Sequence, residues 1–449
     1  MKLIGILWNM VDNPLQVERE ISKYCNIKTV INVDLKGDFE PFLRELYPDL
    51  PGEEDKALSK IKTLKKYKNR NINILIIDIN SDEKVFLKQK NKMMYKNVLD
   101  LKVNIRRKFK YLLNESCNSS YDNIFHLSDD SSEFIDDFYI IIKYLSKHLE
   151  RCSNFIRIDD FVDENLISQE HRGTREKLWL NDKCLYKKQT IDTLEAYSEL
   201  FNMYYMKKFG LSDGADYIPV NYNDADGVIT KRLNTEDENL VFVHKILKEY
   251  GYVDKKEIII HNNLQELPLF IRDYCNRNNF EYDVDLTLKL KKLFLYDILT
   301  CQNDRNPTNL CLIIDRLKKA KLSYFDNSNM LIFDKSDNVE KYKKNSLFLK
   351  SFLNDGTSTF LINKPSDIKY TFNNKMIHLE SFLKNFDTYD MKLLQYMISN
   401  FNKEEIEANV FDIQQQYNIT FPDVFVDAMY DYCDIIKPRI LRKIERFNR

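Results

Sequence analysis

Residues 296–334, YDILTCQNDRNPTNLCLIIDRLKKAKLSYFDNSNMLIFD, constrain this chain more than any other stretch. A helix is predicted ahead of them, because Leu286, Leu288, Leu290, Leu293, Leu295, Ile298 and Leu299 recur with lysines between them, closest to a buried amphipathic pattern. The polar run QNDRNPTN cannot continue that helix, since Pro307 has no amide donor and biases Asn306 away from helical angles. LCLII then reads as a strand, RLKKA as a turn and KLSYF as the returning strand, which delivers Asp326 at its end.

This layout places Asp304, Asn309 and Asp326 on two adjacent loops. In-line phosphoryl transfer needs such a set: one carboxylate to orient the attacking hydroxyl, and an amide with a second carboxylate to hold Mg²⁺ against the phosphates of ATP. Helix, loop, hairpin and acidic turn is also the catalytic layout of protein-kinase-like enzymes. A D-x-x-x-x-N spacing alone competes with a solvated turn in a chain so rich in Asp and Asn. The Asp-Arg pair, the apolar strands on both sides and the FDNS tip favour the catalytic reading.

The motifs NDRNPTN and YFDNSNML resemble the catalytic and metal loops of HipA-like kinases, which read D-R-x-x-x-N and F-D-N-G. Ser328 stands where glycine is frequent. The resemblance implies a bilobal protein-kinase-like domain over residues 160–449 that uses ATP and Mg²⁺, with Asp304 as base and Asn309 and Asp326 as metal ligands.

Upstream, a loop with Gly173 and Thr174 precedes two strand-like runs, KLWL and KCLYK, around an Asn181-Asp182 turn. In a kinase small lobe such a loop covers phosphates with backbone N–H groups, and a lysine on a following strand grips them. GTREKLWL…LYK resembles the start of the HipA-like domain, which makes Lys187 the ATP lysine and Lys188 the runner-up, since neighbours on a strand face opposite ways. In the next predicted helix Glu199 shares a stripe with Met203 and Met206, so its carboxylate needs a cation, and Lys187 is the natural one. Glu195 is the alternative partner. Backbone groups from Thr230 to Leu233, including Arg232, are expected at adenine. Ser168 and Thr174 are candidate autophosphorylation sites, because members of this class silence themselves in that loop and a phosphate there repels ATP.

At 449 residues the chain has room for two or three domains. A formal net charge of −1 gives no sign of a general nucleic-acid or membrane-surface binder. The basic end KPRILRKIERFNR has few interleaved aromatics and reads as a solvated helix face, as does the basic stretch at 55–70. Eight cysteines without a C-x-x-C pair argue against a zinc site or disulfide framework and for a reducing compartment. Met1 leads straight into strand-like KLIGILW and no apolar run is long enough to span a bilayer, so a cytoplasmic location is expected.

Residues 1–155 alternate strand and helix signals and are expected to form an α/β accessory domain, with a ferredoxin-like arrangement as one option. NIFHLSDDSSEF, at 123–134, resembles the N-x-x-H-G-S-D segment of nucleoside diphosphate kinases through Asn123, His126, Ser128 and Asp129. NIRRKF resembles that family's I-R-G-D-F, with Arg106 as a phosphate contact. Leu127 replaces the glycine, and ILWNMVDN lacks the family's lysine. His126 is therefore a phosphate-accepting nucleophile, a residue of a vestigial nucleotide-binding fold, or a hydrogen-bonded histidine ahead of a helix capped by Ser128 or Asp129. The domain is expected to be a recognition or regulatory module.

The expected organisation is an accessory domain at 1–155, a kinase small lobe at 156–235 and a helical large lobe at 236–449. The expected activity is transfer of the ATP γ-phosphate to a Ser or Thr hydroxyl of a protein, in a toxin-like protein with an antitoxin-like partner, by resemblance. A lipid or small-molecule kinase, and a non-catalytic nucleotide-binding scaffold, stay open as alternatives.

Overall fold

The computed structural model describes residues 1–48, 56–67, 69–80, 83–87, 92–112, 123–150, 153–170, 175–180, 183–235, 237–251, 262–263, 266–282, 285–302, 307–354, 370–372, 375–376 and 388–447. It is a mixed α/β chain that divides into two units: Met1–Tyr186 with Val220–Ala225 and Gln416–Asn418, and Lys187–Pro219 with Asp226–Gln415 and Ile419–Arg449.

The first unit opens with β1 (Lys2–Leu7), α1 (Pro14–Ile21), β2 (Asn26–Asp34), α2 (Phe39–Leu46), α3 (Lys56–Leu64) and β3 (Asn71–Asp78). A hairpin, β4 (Lys84–Leu87) and β5 (Lys92–Tyr95), leads to α4 (Lys96–Lys108), β6 (Phe125–Leu127) and α5 (Ser131–His148). Helix α1 starts where it does because Asn13 accepts the Gln16 amide at 3.3 Å and Pro14 takes a position that needs no donor. The main sheet has the order β2-β3-β1-β6 with every neighbour antiparallel. Strand β3 is buried from Ile72 to Ile77, apolar but for Asn73, whose side chain accepts from Asn32 at 2.6 Å and donates to Glu18 at 2.8 Å. Ser128 extends the β6 edge by accepting the Ile4 amide and donating back to the Ile4 carbonyl.

Two readings of this unit are corrected. The cap of α5 is Asp130, whose carboxylate accepts the Glu133 amide at 3.0 Å, because Ser128 is committed to the sheet. In α3 the exposed lysines are solvated, but Lys60 is buried with its ammonium 4.8 Å from the Tyr47 ring centre and 5.3 Å from that of Trp8.

A six-stranded sheet follows, built from β7 (Ile156–Arg157), β8 (Ile167–Glu170), β9 (Lys177–Leu180), β10 (Cys184–Lys188), β11 (Ile218–Tyr222) and β12 (Ala225–Lys231) in the order β7-β11-β12-β10-β9-β8. Helix α6 (Glu195–Lys208) lies between β10 and β11 in sequence. Beyond β12 come β13 (Asn239–Phe242), α7 (Val243–Glu249), β14 (Asn262–Asn263), α8 (Glu266–Arg277), β15 (Glu281–Tyr282) and α9 (Leu286–Thr300). Strands β16 (Leu310–Ile314) and β17 (Lys319–Tyr324) form the hairpin, paired from Leu310↔Tyr324 to Ile314↔Ala320. Its turn closes through the Asp315 carboxylate, which accepts the Lys319 amide at 2.8 Å, and through Lys318 at φ 63°.

LVFVHKILKEYG is predicted as one helix, but its first residues form β13, which pairs antiparallel with β16 in the sheet β13-β16-β17-β15. The open edge of β16 supplies backbone partners that local propensity cannot anticipate. The remaining elements are α10 (Ser336–Lys344), α11 (Leu347–Asn354), β18 (Tyr370–Phe372), β19 (Lys375–Met376), α12 (Thr388–Ser399), α13 (Lys403–Tyr417) and α14 (Asp423–Phe447). Helix α14 runs on through Pro438. The predicted helix HLESFLKNF, at 378–386, lies outside the described residues. Among the described residues no helix is long and apolar enough to cross a membrane.

The core of the second unit is aromatic. Phe201 and Tyr205 on α6 and Phe209 just after it meet Tyr296 of α9, Phe401, and Phe425 of α14, which stacks on Phe333 at 4.3 Å. Helix α6 is therefore enclosed on several sides, which is why its apolar residues show no single face.

Candidate active site

Burial of α6 forces an account of its polar side chains, because an unpaired charge in such a place is costly. Glu195 accepts the Thr190 amide at 3.0 Å and the Thr193 hydroxyl at 3.2 Å, at the start of the helix. Glu199, fully buried, accepts from Lys187 Nζ at 2.7 Å through Oε1 and from the Asn327 amide at 2.9 Å through Oε2. Asn202, one turn later, donates to the Asn327 carbonyl at 2.7 Å and accepts from the Tyr296 hydroxyl at 2.7 Å. The helix thus holds both backbone groups of one peptide residue in the loop after β17.

That loop carries Asp326 in the left-handed region at φ 61°, a conformation Asp tolerates better than most residues. Its carboxylate lies 3.2 Å from Lys187 Nζ and accepts from Ser328 Oγ at 3.3 Å. Its carbonyl accepts from Gln302 Nε2 at 3.1 Å, and its amide donates to the Tyr217 hydroxyl at 3.3 Å. Lys187 also reaches that hydroxyl at 3.2 Å and sits 5.0 Å from the centre of the Tyr217 ring. Burial pushes the Tyr217 phenol well above its ordinary range, so it stays neutral. Lys187 is 2% exposed while Lys188 is half-buried, which separates the two lysines that strand alternation left as rivals.

Asn309 lies in a short 3₁₀ turn just before β16 and is buried. Its carbonyl accepts the Phe325 amide at 3.2 Å, so the hairpin's two ends bring Asn309 beside the residue preceding Asp326. Of the residues proposed from sequence, the structure brings Lys187, Glu199 and Asp326 into direct contact and sets Asn309 next to them along the backbone. Arg232 is exposed and Leu233 half-buried in the loop after β12. Asp304, Gly173 and Thr174 lie outside the described residues. Ser168 is on β8.

Sequence reading missed Tyr217, Asn202, Asn327 and Gln302. Asn327 lies inside the FDNS motif and Gln302 directly before NDRNPTN, but neither carried a role there; Tyr217 and Asn202 lie in no motif and reach the site by contacts far along the chain, and one available signal was a polar Asn three residues after Glu199, on the same helical face.

In the first unit, His126 has a protein partner at each ring nitrogen: Nε2 lies 2.9 Å from Asp137 and Nδ1 2.9 Å from the Tyr47 hydroxyl. A neutral ring donating to Asp137 and accepting from Tyr47 satisfies both. Arg106 donates through Nε and Nη2 to the Phe125 carbonyl at 3.1 and 3.0 Å. Asn123 accepts from Lys60 at 3.4 Å. Lys102 pairs with Asp129, and burial holds its ammonium below the ordinary lysine range.

No protein-family model matches the chain, and a search of curated proteins finds no match. Among solved structures, the chain is similar to the Helicobacter pylori proinflammatory kinase CtkA, at 17% identity and a TM-score of 0.47, over 65% of this chain and 97% of that one. It is also similar to the toxin-antitoxin protein HipA of Shewanella oneidensis MR-1, solved with HipB and operator DNA, at 12% identity and a TM-score of 0.33, over 81% of this chain and 94% of that one. The likeness is distant, and the chemistry rests on the geometry above.

Proposed function

We propose that the chain is an ATP- and Mg²⁺-dependent HipA-like kinase that phosphorylates a Ser or Thr hydroxyl of a protein. The observation that carries this reading is Lys187 Nζ standing 2.7 Å from buried Glu199 and 3.2 Å from Asp326. A lysine fixed by a buried glutamate beside a loop carboxylate is a phosphate grip next to a metal ligand. Asp326 and Asn309 offer a carboxylate and an amide, hard oxygen donors of the kind Mg²⁺ takes. With Mg²⁺ bound, negative charge on the phosphates would be neutralised. Lys187 would bind the phosphates, Asp304 would orient the acceptor hydroxyl and take its proton, and Gly173, Thr174, Arg232 and Leu233 would line the nucleotide.

The same reading assigns 156–235 to a small lobe and 236–449 to a large lobe, in a cytoplasmic protein restrained by an antitoxin-like partner. The accessory domain at 1–155 is proposed to be ferredoxin-like. The antiparallel order β2-β3-β1-β6 supports this, with α1 between β1 and β2 and α4 between β3 and β6 in sequence.

Incubation with labelled ATP tests the activity. Wild type should incorporate phosphate, mapped by mass spectrometry to Ser168, Thr174 or a partner protein, and Asp304→Asn should not. Nucleotide binding without transfer in either protein would favour a scaffold and overturn the kinase reading.

A further inference from the structure

Tyr217 is fully buried directly before β11, where a phenylalanine would supply the same packing without the cost of burying a hydroxyl. Its oxygen accepts from Lys187 Nζ at 3.2 Å and from the Asp326 amide at 3.3 Å. One neutral oxygen therefore ties a strand lysine to the backbone of a loop aspartate 139 residues away. Three further hydrogen bonds hold the same turn: Gln302 donates to the Asp326 carbonyl, Asn202 donates to the Asn327 carbonyl, and the Asn327 amide donates to Glu199. Those three fix the loop downstream of the Asp326 amide, and Tyr217 fixes the amide itself, at a residue whose φ of 61° leaves its side-chain direction dependent on that peptide plane.

We propose that Tyr217 is a positioning residue: its phenol oxygen sets the separation of the Lys187 ammonium and the Asp326 carboxylate, so that phosphate grip and metal ligand are presented as one unit. This rests on the kinase reading, because it assigns a role within that same site. Removing the hydroxyl leaves the ring beneath Lys187 and the Lys187–Glu199 pair in place, and frees the Asp326 peptide to rotate. Metal dependence should therefore suffer more than nucleotide binding as such.

The test is calorimetric binding of a non-hydrolysable ATP analogue, titrated with Mg²⁺, to the full chain and to Tyr217→Phe. The Mg²⁺ concentration for half-maximal tight binding should rise about tenfold in Tyr217→Phe, the lower end of the loss seen when a group supporting a metal ligand is removed, while metal-free affinity changes by less than about threefold. An Mg²⁺ midpoint within about twofold of wild type, in a variant that melts like wild type, overturns the proposal. If Tyr217→Phe does not fold, 3,5-difluorotyrosine at 217 keeps ring and hydroxyl but weakens the acceptor; a raised midpoint supports the proposal and an unchanged one overturns it. Wild type that binds no analogue at any Mg²⁺ concentration removes the kinase reading instead, and the two failures are thereby told apart.

Discussion

Lys187 and Glu199 form an ion pair at 2.7 Å in which both side chains are almost wholly withdrawn from water. A pair of this kind is weak evidence for stability, because desolvation offsets much of the attraction, but breaking it strands a buried charge. Either Lys187→Met or Glu199→Leu should cost about 3 kcal/mol or more in urea unfolding. Combining Lys187→Met with Glu199→Leu should cost clearly less than the two single losses added, since the partner charge goes too. Strict additivity would mean that the pair is not coupled.

Asn202 joins α6 to the Asp326 loop through the Asn327 carbonyl and to α9 through Tyr296. Asn202→Ala removes a donor and an acceptor from a buried site, and should lower unfolding free energy by about 1–3 kcal/mol. Asn202→Asp, which keeps the acceptor for Tyr296, should recover none of the bond to Asn327. Chemical denaturation of both variants measures this, and a change within error for alanine would contradict the bonds described.

Gly214 lies against the ring of Tyr324, the last residue of β17. A β-carbon at 214 would stand 2.5 Å from Tyr324 Cε2, closer than packed atoms tolerate. Gly214→Ala should therefore destabilise by about 1–3 kcal/mol through overpacking, with the ring forced to shift. Thermal unfolding reads this out, and a neutral alanine would mean that the strand end yields freely.

Burial pushes the Cys25 and Cys311 thiols up to about 12 and Cys275 up to about 11. The thiolate is the reactive form, so raising the pKa suppresses alkylation at neutral pH. Peptide mapping after iodoacetamide should show Cys25 and Cys311 protected in the native protein. Below their pKa, their rates should still climb about tenfold per pH unit from pH 8 to 10, where an ordinary thiol near 8.5 levels off. A plateau near pH 9 at Cys25 would contradict this.

Much of the site's layout could be read from residue order because its signals are local. Leu310–Tyr324 announces a hairpin by two apolar runs around a charged turn, KLWL and KCLYK announce another, and Pro307 excludes a helix across QNDRNPTN. Spacing on a helix put Glu199 on a buried stripe, which required a cation, and the resemblance to HipA-like kinases pointed to Lys187, with Lys188 the runner-up because strand neighbours face opposite ways. The same local rules misread NLVF as helix, because what makes it β13 is the edge of β16, some seventy residues later.

The sequence by itself determined most of the elements, β13 excepted, and which charged groups must find partners, since propensity, periodicity and the cost of burying a charge act over a few residues. Only the tertiary structure decided who those partners are: Lys187 over Lys188, the Tyr217 hydroxyl for Lys187 and Asp326, Asn202 and Gln302 for the loop, Asp137 and Tyr47 for His126, and two aromatic rings for Lys60. Hydrogen bonds and ion pairs depend on distances of about 3 Å between groups that may stand a hundred residues apart, and chain order carries no record of such distances until packing fixes them.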